Sequence, residues 1–351
     1  MHSDGSPSSV VLQGVPRIGF DVHLSPFPGS LFAYLSYTGD PHNYDYLMGV
    51  TGAAFRRFWN RDDGGNVDIS YLGDEPFRRA FEALGYHWRK VPAQKEAMVQ
   101  AIKTSLALGR PAISFGISGP PEAGLVTGYT EDGAVIYGWS YFQDWSQWGQ
   151  NPDTYYEMRD WFETMHITSH SEPGAGKGLI LIGDRQPSRL APRDVLVSSL
   201  EWALDLERTQ QRPNLPEHIA GLAAYDAWAD ALEVDADYPA GDTEVLGARV
   251  MVYADQCTML YERESAARYL RQMINVAPEA GDDLEAAAAF YDQAAAEVGK
   301  LWPWGNELGP AAQAGLSEPS ARRGFAANIR AAKDKEAQAV QYLERALAEF
   351  E

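Results

Sequence analysis

In residues 28–40, PGSLFAYLSYTGD, a serine stands directly ahead of an apolar, helix-like run and behind a Pro-Gly turn. Two kinds of chemistry use an oxygen side chain in that place. A hydroxyl at the start of a helix accepts from a backbone N–H that has no partner inside the helix, and this cap is the commoner use. The same hydroxyl becomes a nucleophile when a base lies within hydrogen-bond reach, with the helix N–H groups stabilising the oxyanion. On spacing alone Ser30 reads as a cap. His23 and His42 lie near enough in sequence to stand in as a base.

Four further patterns present reactive or ligating side chains. Asp62, Asp63, Asn66 and Asp68 offer oxygen ligands of the kind calcium takes, but Tyr71 stands where a closing glutamate would fall counted from Asn60, so the stretch reads as a solvated acidic turn. SEPGAGKGL at 171–179 imitates a phosphate loop. It lacks the leading glycine, where Ser171 stands, and the Ser or Thr after Lys177, where Gly178 stands, so it reads as a surface loop. His166 and His170 are spaced like a zinc pair with no nearby Cys and no acid at motif spacing. Cys257 falls on the apolar stripe of a helix, where a small buried thiol is expected.

Positioning these residues requires two unlike halves. Before about Leu190 strand-like and helix-like pieces alternate, and after it the chain reads as almost purely helical. We expect a strand over 10–15, helices over 30–37 and 43–55, and a helix from Asp74 to the stop at Gly85. A strand over 86–91 and a helix over 93–108 closed by Gly109 follow. Strands at 111–117, 124–129 and 134–140, the last two joined by a Thr-Glu-Asp-Gly turn, and a buried strand at 178–183 complete the half. Beyond it, stripes such as Leu246, Val250, Tyr253, Cys257 and Leu260, or Phe325, Ile329, Ala332, Val340 and Leu343, predict a helical bundle.

Three blocks carry a family resemblance: SLFAYLSYTGDPHNYDYLMGVTGAAFR (30–56), GRPAISFGISGPPEAGLVTGYTEDGAVIYGWSYFQ (109–143), and RDWFETMH with GLILIG. Together they cover roughly the N-terminal half. They resemble the papain-like family typified by the N-terminal domain of butirosin-biosynthesis protein H, itself similar to the bacteriocin-processing cysteine peptidases. The resemblance implies an α+β fold: a tail over 1–8, a papain-like N-terminal domain over 9–189, and an all-α helical domain over 190–351. In that family a Cys begins the helix, a His opens the VTGY strand and an Asp or Asn ends the next strand. Carried over, these positions fall on Ser30, on Glu122 and close to Gly138. All three side chains differ from the family's.

An alcohol is not ionised by a helix terminus as a thiol is, and a carboxylate is a weak base for it unless burial raises its pKa, so the resemblance implies a cleft that has lost its chemistry. The expectation is a non-catalytic protein that binds a small polar or amine-bearing molecule or a peptide, with Ser30, Glu122, Trp139, Tyr141 and Trp145 as ligand-binding candidates and no cofactor. Glu122 serves equally as a structural partner for an Arg or Lys. The aromatic run with Trp139, Trp145, Trp148, Tyr155, Tyr156 and Trp161 reads first as docking the helical half, with covering a cleft as the alternative. The enzyme alternative is a serine-dependent acyltransferase or amidase with Ser30 as nucleophile and Glu122 or His23 as base. A third reading makes the helical half a platform for a partner or for a homo-oligomer.

The composition limits the partners. With 49 acidic and 29 basic residues the formal charge is −20, which repels nucleic-acid phosphates and anionic lipid. No membrane-spanning apolar run and no secretory leader is read. A single Cys allows no internal disulfide, so a cytoplasmic protein is expected.

Overall fold

The run Pro26–Tyr37 contains no charged side chain and is buried on nearly every side, the signature of a helix enclosed by other elements. It is the second element of a mixed α and β chain. The computed structural model describes residues 7–62, 68–145, 151–164, 178–305 and 308–350. Asp63, Asn66, Trp148, His166, His170, Ser171, Lys177 and most of the 1–8 tail lie outside the described residues.

The elements begin with β1 (Val10–Val11), α1 (Pro26–Tyr37), α2 (Tyr44–Thr51), β2 (Phe58–Trp59), α3 (Glu75–Leu84) and β3 (Tyr86–Val91). Next come α4 (Lys95–Ala107), β4 (Ala112–Phe115), β5 (Ala123–Thr130), β6 (Val135–Trp139), β7 (Tyr156–Met158), α5 (Trp161–Thr164) and β8 (Leu179–Arg185). Then follow α6 (Pro192–Arg208), β9 (Ile219–Ala220), α7 (Leu222–Leu232), α8 (Thr243–Tyr261) and α9 (Arg263–Met273). The chain closes with α10 (Gly281–Ala296), α11 (Val298–Leu301), α12 (Pro310–Ser317) and α13 (Pro319–Ala348).

Two units result, one made of residues 1–47 and 68–190, the other of 48–67 and 191–351. The first holds a seven-stranded antiparallel sheet ordered β3-β8-β4-β5-β6-β7, with β1 also paired to β5. Along one edge β5 meets β4, Ala112 opposite Val126, and then β1, Val10 opposite Tyr129. The expected strand over 10–15 shrinks to β1 because only there does β5 have an edge that β4 has left open. Every residue of β4 and nearly all of β5 is buried, so both faces of the central strands are covered. The outer strand β3 is mixed, buried at Tyr86 and Val91 and exposed at His87, Arg89 and Lys90. Met98, Ile102, Leu106, Val126, Tyr129, Trp161 and Leu179 form a core between α4 and the sheet.

The second unit is helical, and the predicted stripe of α8 is buried along its length, as are Phe325, Ile329, Ala332, Val340 and Leu343 of α13. What the stripes do not announce is that residues 48–62 are part of it. The expected helix over 43–55 stops at Thr51 because Gly52 takes a left-handed φ of +85°. The Trp202 indole N–H donates to the Thr51 carbonyl at 3.0 Å. It also fills the space where a Cβ on residue 52 would lie, at 2.3 Å. A 3₁₀ turn at Ala53–Phe55 follows, and β2 pairs antiparallel with β9, Phe58 opposite Ala220. Arg263 holds this strap, donating to the carbonyls of Ala54 at 3.1 Å and Arg56 at 2.9 Å.

Candidate functional site

Helix α1 begins at Pro26, four residues before the start read from the sequence, so Ser30 lies in its second turn and is not a cap. Pro26 and Pro28 fit the first turn, whose N–H groups have no intrahelical partner to lose. Ser25 is the capping residue by position, yet its side chain does not cap. The acceptor comes from Asp68, which is 1% exposed. Its Oδ2 takes the Phe27 N–H at 3.1 Å and lies 3.4 Å from the Ser25 hydroxyl, while Oδ1 takes the Ser70 N–H at 2.9 Å. A negative charge at a helix N-terminus is favourable, and here the protein supplies its own. Asp68 therefore works as a buried cap and not as part of a solvated acidic turn.

Ser25 is pinned on both sides, its N–H donating to the Tyr44 hydroxyl at 3.1 Å and its carbonyl accepting from Tyr141 at 3.3 Å. Ser30 is fully buried and its hydroxyl donates to the Ala123 carbonyl at the first residue of β5, at 3.1 Å. That bond ties helix to sheet. The half-buried Glu122, one residue earlier, sits in the tight β4–β5 turn, its carbonyl accepting from Gly116 at 3.1 Å and its N–H reaching Pro120 at 2.7 Å.

Neither histidine makes a hydrogen bond to Ser30 among the described residues. The His23 ring lies 4.6 Å from Phe32 and 4.1 Å from Tyr44 by centroids, and burial holds its pKa below the usual imidazole value against the opposing pull of Asp45. His42 stacks on Tyr46 and faces Asp40, with Nε2 3.3 Å from Oδ2. At the third family position a Cβ on Gly138 would lie 2.2 Å from the Leu125 carbonyl oxygen, so no side chain fits there.

The aromatic candidates are internal braces. Trp139 is 6% exposed, and its indole N–H donates to the Val15 carbonyl at 2.9 Å while Tyr155 accepts from the Val15 N–H at 3.1 Å. Tyr141 stands edge-on to Phe20 at 5.0 Å, and the half-buried Trp145 edge-on to Phe142 at 5.7 Å. Trp161 is buried and donates to the Gly133 carbonyl at 3.0 Å.

A surface hollow of about 410 Å³ lies in the same unit, lined by Arg17, Asp21, Asp144, Pro152 and Asp153. Arg17 forks onto Asp21 at 3.0 and 2.8 Å and also pairs with Asp144. The hydrogen bond from Arg17 holds the Asp21 carboxyl below its ordinary range. Sequence reading missed this group because its members come from three separated loops with no shared motif.

Elsewhere, burial pushes the Cys257 thiol far up, which removes it as a nucleophile. Among the described residues no group of three His, Cys, Asp or Glu is placed to hold a metal ion, and no helix is long and apolar enough to cross a membrane. No family model and no curated protein matches the chain.

Proposed function

We propose that the protein is a non-catalytic relative of the papain-like fold that binds a small polar, amine-bearing molecule, or the amino end of a peptide, in a cytoplasmic setting. The observation that carries the non-catalytic half is the start of α1. Asp68 accepts from the Phe27 N–H, a first-turn donor with no partner inside the helix, and the Ser30 hydroxyl is committed to Ala123. A serine-dependent amidase would need both contacts to break and a base to arrive, and among the described residues no side chain hydrogen-bonds the Ser30 hydroxyl.

Ser30 is buried, so the ligand is assigned to the hollow beside the aromatic run. Three carboxylates against one guanidinium leave surplus negative charge there, and the net charge of −20 raises the local concentration of cations. The test is a thermal-shift titration with spermidine, with sorbitol as the uncharged control. Spermidine should raise the Tm in a salt-sensitive way, and the double variant Asp144→Asn, Asp153→Asn should lose most of the shift. An equal shift in the variant would move the site elsewhere, and no shift with spermidine would refute an amine ligand.

A further inference from the structure

Charge is sealed inside the helical unit where the proposed function makes no use of it. Glu207 on α6 is 1% exposed, and Arg263 on α9 and Glu336 on α13 are fully buried. Glu336 is served as a carboxylate. The Arg263 guanidinium forks onto it at 2.9 and 2.6 Å, and the Tyr225 hydroxyl donates to Oε2. Glu207 is served differently. Its Oε1 accepts from the Tyr291 hydroxyl at 3.2 Å, while its buried Oε2 accepts from nothing.

A buried carboxylate with one neutral donor and one bare oxygen is strongly disfavoured. A carboxylic acid in the same place is not, because its O–H makes the bare oxygen a donor, and the Glu336 carboxylate, with which Glu207 shares a side-chain hydrogen bond, is the acceptor. We propose that Glu207 stands as a neutral acid in the folded protein and shares its proton with Glu336, so that one proton latches the 54–56 strap into the helical unit. The electrostatics agree. Burial first, and the Glu336 charge next, push Glu207 well above the ordinary carboxyl range. Glu336, which burial alone would raise, is held below that range by the charge and hydrogen bonds of Arg263.

The other groups around the pair fit this assignment. Tyr225 comes from α7, Tyr291 from α10 and Arg263 from α9, while β9 and the 53–55 turn bring no ionisable side chain. Arg56 is paired with Glu262 at 2.6 Å. Arg57 lies over the rings of Tyr225 and Trp228 at 4.3 and 4.7 Å and donates to the Gln256 carbonyl at 3.0 Å, so its charge is met by aromatic faces and not by Glu207. Arg263 is the common part, since it bonds Glu336 and the strap carbonyls at once.

As pH rises through its raised folded pKa, the Glu207 proton passes to bulk hydroxide, leaving two adjacent carboxylates to compete for one guanidinium. A carboxyl with a raised folded pKa binds its proton more tightly in the folded state. Its contribution is complete below the unfolded value of about 4.3 and is lost as pH rises through the folded value.

Infrared spectroscopy of the full chain with carbon-13 glutamate tests the assignment. At neutral pH a protonated-carboxyl stretch should appear and vanish in Glu207→Gln. Amide exchange over residues 53–58, corrected for its intrinsic pH dependence, should quicken with pH in the wild type and stay flat in that variant. If Glu207→Gln does not fold, Tyr291→Phe removes the donor to Oε1 and should shift the band. No band in the wild type, a band that survives Glu207→Gln, or one that Tyr291→Phe leaves unmoved would overturn the proposal.

Discussion

The Ser30 hydroxyl and the Asp68 carboxylate show how differently two polar groups at one helix can be used. Ser30 makes one neutral hydrogen bond across a packed contact, so Ser30→Ala should lower stability by about 1 kcal/mol. Asp68 serves two backbone N–H groups and a hydroxyl while buried, so Asp68→Ala should cost about 2 kcal/mol or more. Urea midpoints of the two variants check this order. A reversed order would mean that Ser30, not Asp68, organises the start of α1. The sequence read Ser30 as a cap, and its actual contact was not legible, because its partner is a carbonyl on β5. Asp68 looked like one acid in a solvated turn for the same reason, since its burial is a tertiary fact.

At the level of elements, local chemistry was legible and long-range pairing was not. The stops at Gly85 and Gly109 hold because a glycine with positive φ ends a helix by itself. The start of α1 was misplaced because Pro28-Gly29 reads as a turn, whereas Pro tolerates a first helical turn and the cap arrives from Asp68. Strand β7 went unread because three residues, paired only with β6, leave too short a pattern. The strap over 48–62 was assigned to the N-terminal half, since nothing in its own sequence tells of Arg263 or β9. It follows that residues 190–351 alone are an incomplete fold. That fragment leaves the Arg263 bonds to Ala54 and Arg56 and the Glu262 bond to Arg56 unmade, and should show weak near-ultraviolet circular dichroism and broad unfolding. A synthetic peptide of residues 48–62 added in trans should sharpen the transition. A fragment that unfolds as sharply without the peptide would show that the strap is dispensable.

For the whole molecule, the proposal of a non-catalytic protein with a positively charged ligand rests on the charge of −20 and on the start of α1, where Asp68 takes the Phe27 N–H. A reactive serine needs exposure, a base and free N–H donors for the oxyanion. Ser30 is buried, its hydroxyl already donates to Ala123, and the N–H of Phe27 is taken by Asp68. The most direct measurement is therefore intact-protein mass spectrometry after exposure to a serine-directed fluorophosphonate, with peptide mapping of Ser25 and Ser30. We expect the native protein to keep its unmodified mass, and adducts to appear only after denaturation. A single adduct on Ser30 in the native state, lost in Ser30→Ala, would contradict the account and make the protein a serine-dependent enzyme.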